Sequence, residues 1–144
     1  MKLQYSYILL IAAILATAPI HAAAGNNKEE SKEAVYIERI SVTAGEVFEI
    51  PVMFRNENTY SAFQCDIELP EGITFEKDEY GNYCIYPESG RVTQTHTMTA
   101  ADIANGKVRV ACYSMSSKDI IGNDGVLFYI KAKAEENCSG TVTM

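Results

Sequence analysis

Between Gly45 and Gly72 the chain alternates apolar and polar side chains at period two. Phe48, Ile50, Val52 and Phe54 hold every second position of one segment, and Phe63, Cys65, Ile67 and Leu69 do so in the next. Such alternation gives a strand one dry face and one wet face. Asn56-Glu57-Asn58-Thr59 between them is built of turn-forming, solvent-loving residues. The pattern therefore predicts two antiparallel strands whose apolar faces enter a common core. Pro51 has no N–H to give to a ladder, so its expected place is an edge or a bulge.

The same reading extends in both directions. Strands are expected at Val35–Ile40, at Ile73–Lys77, near Tyr83–Tyr86, at Arg91–Thr99, at Lys107–Ser114, at Val126–Ala134 and from Thr141 onward. In Arg91–Thr99 the threonines at 93, 95, 97 and 99 share one face, as β-branched side chains do on a half-wet sheet. In Lys107–Ser114, Val108, Val110 and Cys112 form the dry face if Arg109 points to water. Residues 100–106 read as a helical turn or a loop. Neither a helix of ordinary length nor an internal repeat is expected. Seven or eight short strands separated by turn signals predict an all-β, two-sheet sandwich of jelly-roll type. The segment that opens at Gly140 is only four residues from Met144, which reads as a sandwich lacking its last strand.

Charge and targeting signals narrow the picture. The 144-residue chain has a net charge of −7, which argues against a nucleic-acid binder, since phosphates demand a basic stripe. Lys2, the apolar run Ile8–Leu15 and Ala22-Ala23-Ala24 have the order of a secretion signal over residues 1–24, and the run is too short to span a bilayer. An exported protein that does not span the membrane once this signal is removed is the expectation. Residues 25–34 read as a flexible, solvated leader and 35–144 as the folded domain.

Cys65, Cys84, Cys112 and Cys138 permit two disulfides in an exported chain. Buried free thiols are the competing reading, and Cys65, in the apolar register, favours it. No C-x-x-C pair exists and His96 stands alone outside the signal, so neither a metal site nor a cofactor is expected. Catalytic motifs are missing, and acid pairs such as Glu76/Asp78 read as solvated surface, which predicts a non-enzyme. Gly122-Asn123-Asp124-Gly125 reads as a tight turn, because it lacks the spaced acids of a calcium loop. Tyr80, Tyr83 and Tyr86 are candidate carbohydrate contacts, since exposed rings grip sugars. The blander reading has them covering core ends with their hydroxyls in water.

Four segments, taken in order, resemble cohesin domains: G-E-V-F-E-I-P-V-M-F-R-N, A-F-Q-C-D-I-E-L-P-E-G-I-T-F, G-K-V-R-V-A-C-Y-S and G-N-D-G-V-L-F-Y-I-K-A-K-A. The resemblance runs from about Val35 to Met144. It implies a nine-stranded jelly roll and a non-catalytic secreted module that docks dockerin-bearing proteins of an extracellular polysaccharide-degrading system. It further implies a recognition surface on the sheet of the third, fifth and sixth strands. By that match Gln64 and Asp66, flanking Cys65, face the partner, with Thr93, Thr95, Arg109 and Tyr113 marking the rest of the zone. The tyrosine-rich 78–90 segment matches no part of the family pattern. A polysaccharide-binding module and a structural spacer of a surface protein remain the alternatives.

Overall fold

The structure, a computed structural model, describes residues 33–135 and 140–142. Ten strands are present among them: β1 (Ala34–Ile37), β2 (Ile40–Val42), β3 (Val47–Arg55), β4 (Ala62–Ile67), β5 (Ile73–Phe75), β6 (Ile85–Pro87), β7 (His96–Asp102), β8 (Val108–Ser114), β9 (Val126–Ala134) and β10 (Gly140–Val142). The larger sheet runs β1-β3-β9, with β5 and β6 end to end along the edge of β9 that β3 leaves free. The smaller sheet runs β4-β8-β7, and β2 pairs with β10. All pairings are antiparallel. The all-β sandwich expected from the alternation is what forms.

Its core lies between the sheets. Ile50 and Val52 of β3 and Phe128, Ile130 and Ala132 of β9 meet Cys65 and Ile67 of β4 and Val110 and Cys112 of β8. Phe63 and Phe128 stack across the gap, ring centroids 5.7 Å apart and planes 6° from parallel. Burying one ring of this size stabilises the fold by roughly 2–3 kcal/mol. Phe48, Ile50, Phe63 and Ile67 converge as their register demands.

Several boundaries differ from expectation. Val35–Ile40 is not one strand. Exposed Glu38 and Arg39 break it, and the chain leaves β3 to pair with β10 instead. This split and the separate β5 and β6 raise the strand number above seven or eight. Pro51 lies on β3, an interior strand opposite Tyr129, not at a sheet edge. It is tolerated because β1 pairs only as far as Val52 and a bulge follows at Val52/Met53. Residues 100–102 extend β7, and a short 3-10 turn takes only Ala104–Gly106. Gly72 adopts φ 82°, a left-handed value suited to glycine, where the Pro70 turn closes through the Ile73 N–H. Residues 1–32 and Cys138 lie outside the described residues, so the signal and most of the leader do too.

Candidate binding face

Each strand of the smaller sheet alternates strictly. Phe63, Cys65 and Ile67 of β4, Val108, Val110 and Cys112 of β8, and Met98 and Ala100 of β7 turn inward. The intervening residues form the outer face, and the register sets them in three rows. Ala62, Tyr113 and Thr97 make one row, Gln64, Ala111 and Thr99 the second, Asp66, Arg109 and Ala101 the third. From strand spacing and rise this patch measures about 10 by 14 Å.

Small side chains make its floor flat. Ala62, Thr97, Thr99, Ala101 and Ala111 reach no further than a threonine. The two ends differ in character. At one, Arg109 grips Asp66 through two parallel bonds, Nε to Oδ1 at 2.6 Å and Nη2 to Oδ2 at 2.7 Å. Lys107 pairs with Glu68 beside it at 3.2 Å. The guanidinium holds the Asp66 carboxyl below the usual range, and the carboxylate in turn raises Arg109. At the other end Tyr113 is 42% exposed, and the loop that follows carries exposed Met115 and Ile121.

Gln64, Asp66, Arg109 and Tyr113 thus share one face, as expected. Thr93 and Thr95 do not lie on its strand. They form a turn before β7, with the hydroxyls 2.7 Å apart and the His96 N–H bonded to the Thr93 carbonyl. The cause is Arg91, which is buried along with Val92 and draws the segment away from the sheet. Thr97 and Thr99, two of the four threonines on that expected face, take the outward positions. The floor residues Ala62, Ala101 and Ala111 were missed. Their signal was present, since each keeps the parity of Gln64, Thr99 or Arg109.

The three loop tyrosines separate. Tyr80 projects from a turn held by the Asp78 carboxylate, which accepts bonds from the Tyr80 and Asn82 N–H groups. Tyr83 is packed edge-on against Phe75, its hydroxyl donates to Asp102, and the Lys77 ammonium sits 4.2 Å from its ring centre. It lines a cleft of about 320 Å³ with Ile85, Met98 and Thr99 at the seam between the sheets. Tyr86 lies on the outer face of the larger sheet.

Cys65, Cys84 and Cys112 are free thiols. Burial pushes the Cys65 thiol up to about 12 and that of Cys112 to about 11, so both are inert core residues. Among the described residues no cluster of His, Cys, Asp and Glu could hold a metal ion, and no helix is long and apolar enough to cross a membrane.

A β-sandwich with a flat, small-residue sheet face, charged at one end and carrying exposed Tyr113 at the other, has the form of a surface that can receive another molecule. The particular family follows from the comparison with known domains. The cohesin domain model matches residues 34–144, and the chain belongs to that family. The fold resembles a non-cellulosomal cohesin from the hyperthermophilic archaeon Archaeoglobus fulgidus, at 14% identity and TM-score 0.55, covering 78% of this chain and 91% of that one. It equally resembles the solution structure of CaCohA2 from Clostridium acetobutylicum, at 14% identity and TM-score 0.55, covering 78% and 92%. Among curated protein sequences none matches.

Proposed function

We propose that this chain is an exported, non-catalytic docking module whose β4-β8-β7 face binds a dockerin-type protein domain. The observation that carries the reading is the three-by-three grid, with a flat floor, a fixed Asp66–Arg109 pair at one end and exposed Tyr113 at the other. Flatness lets a rigid partner element approach the backbone. The charged end supplies orientation, and the tyrosine supplies an apolar anchor. Membership of the cohesin family supports a protein partner, because cohesin domains bind dockerins. Residues 1–24 serve as the export signal in this reading, with the mature chain beginning near Gly25.

Calorimetric titration of the purified mature chain against a panel of dockerins tests it. Binding to at least one member is expected, and Ala111→Arg, which plants a long charged side chain mid-floor, weakens it at least tenfold without unfolding the domain. Absence of heat with every dockerin would remove the reading. So would full affinity in Ala111→Arg.

A further inference from the structure

The outer face of the larger sheet carries a second feature, on the side of the sandwich opposite the docking face. Tyr86 of β6 pairs directly with Tyr129 of β9, which pairs with Pro51 of β3, and Met53 further along β3 pairs with Tyr36 of β1. Tyr86 and Tyr129 stack, centroids 5.4 Å apart and planes 26° from parallel. The Arg55 guanidinium lies 5.5 Å from the Tyr36 ring centre. From strand spacing and rise, the strip from Tyr86 to Tyr36 runs roughly 16 Å.

All three phenols are clamped by carboxylates. Tyr86 donates to Glu49, Tyr129 to Glu88 at 2.9 Å, and Tyr36 to Asp124 at 3.2 Å. This has two consequences. The rings are fixed before any ligand arrives, so little side-chain freedom is lost on binding. With its hydroxyl engaged, Tyr86 remains 38% exposed to solvent. Each clamp also keeps spare lone pairs, on the carboxylate and on the phenol oxygen, at the border of a ring.

We infer that this strip is a binding site for a neutral polysaccharide chain. The C–H faces of pyranose rings would pack on the tyrosines, while sugar hydroxyls donate to Glu49, Glu88 and Asp124. Asp124 is paired with Arg55 at the Tyr36 end, but Glu49 and Glu88 at the Tyr86–Tyr129 end, in a chain of net charge −7, disfavour an acidic glycan. The site is independent of dockerin binding, since it uses the opposite sheet.

Native affinity electrophoresis of the full exported chain tests it, in gels containing hydroxyethylcellulose, xyloglucan, arabinoxylan, galactomannan or polygalacturonate. Retardation by at least one neutral polymer is expected. Tyr129→Ala and Tyr36→Ala should each weaken it about fivefold, the size of one aromatic contact. Glu88→Gln, which keeps the ring and alters its clamp, covers the case in which Tyr129→Ala fails to fold, and should weaken it measurably. Tyr113→Ala and Tyr80→Ala should leave it unchanged. The inference is overturned by migration unaffected by every neutral polymer, by retardation in polygalacturonate alone, or by retardation that Tyr129→Ala and Tyr36→Ala leave intact. Self-association through this face, seen by analytical ultracentrifugation as a dimer that Tyr129→Ala abolishes, would also overturn it.

Discussion

Replacing Arg91 by alanine should destabilise the domain more than any surface substitution. Arginine has five N–H donors, and here all five are used. Nε donates to the Ile121 carbonyl at 2.8 Å, Nη1 to the carbonyls of Phe54 and Gly125, and Nη2 to Asn56 Oδ1 and the Gly122 carbonyl. The side chain also lies over the Phe54 ring at 5.6 Å. Arg91 thereby ties the end of β3 to the loop entering β9. Truncation does not orphan every acceptor. The Gly125 carbonyl still receives the Phe54 N–H, and Gly122 still receives Asn56 Nδ2. The buried Phe54 carbonyl and Asn56 Oδ1 lose their Arg91 donor, as does the partly buried Ile121 carbonyl. At about 1–3 kcal/mol for each orphaned buried acceptor, plus the lost stem packing and less whatever water recovers, Arg91→Ala should cost about 3–5 kcal/mol.

Urea unfolding is the assay. With a slope of about 1.5 kcal/mol/M the midpoint should fall by roughly 2–3 M. Arg91→Lys, which keeps the charge but cannot present the planar fork, should recover less than half of this. Arg55→Ala is the control, because its pair with Asp124 at 3.4 Å is about half exposed and screened by solvent, so little stability rests on it. Equal small shifts for Arg91→Ala and Arg55→Ala, or full rescue by lysine, would refute the account.

Other outcomes follow from the same contacts. Phe128→Ala removes a fully buried ring and its stacking on Phe63, and should cost about 3–5 kcal/mol by thermal or urea unfolding. Brief iodoacetamide treatment followed by peptide mass spectrometry should label Cys84 well before the buried Cys65 and Cys112, which react only on unfolding. The Asp66 carboxyl is held below its ordinary value, so its pairing stabilises the fold above about pH 4 and is lost as pH falls through the lowered folded value. Asp66→Asn should therefore be slightly less stable than the parent at pH 6, by at most about 1 kcal/mol, and the two should converge in acid. Parallel pH profiles would contradict this. If residues 1–24 are the export signal proposed above, N-terminal sequencing of the secreted product should find a start near Gly25.

Alternation was enough to assign the layers, because period two decides which side chains are dry whatever strand lies next door. It fixed Cys65 inward with Gln64 and Asp66 outward, and Val110 inward with Arg109 outward, and the sheet then paired Asp66 with Arg109. What it could not decide was where a strand begins. Thr93 and Thr95 have the same parity as Thr97 and Thr99, and β-branching gives all four the same local preference. The difference lies in Arg91, whose five acceptors come from residues 30 or more positions away along the chain. Satisfying a buried guanidinium outweighs extending the ladder back towards Arg91, so the chain turns through Thr93 and enters the sheet only at His96. That entry point sets Thr97 beside Tyr113 and Thr99 beside Ala111. The flat floor of the proposed docking face therefore depends on a buried charge on the far side of a turn, which no local pattern could reveal. Loosening that turn with Arg91→Lys, under conditions where the domain stays folded, should weaken partner binding without touching any residue of the face. Unaltered affinity in that variant would show that the face is positioned by strand pairing alone.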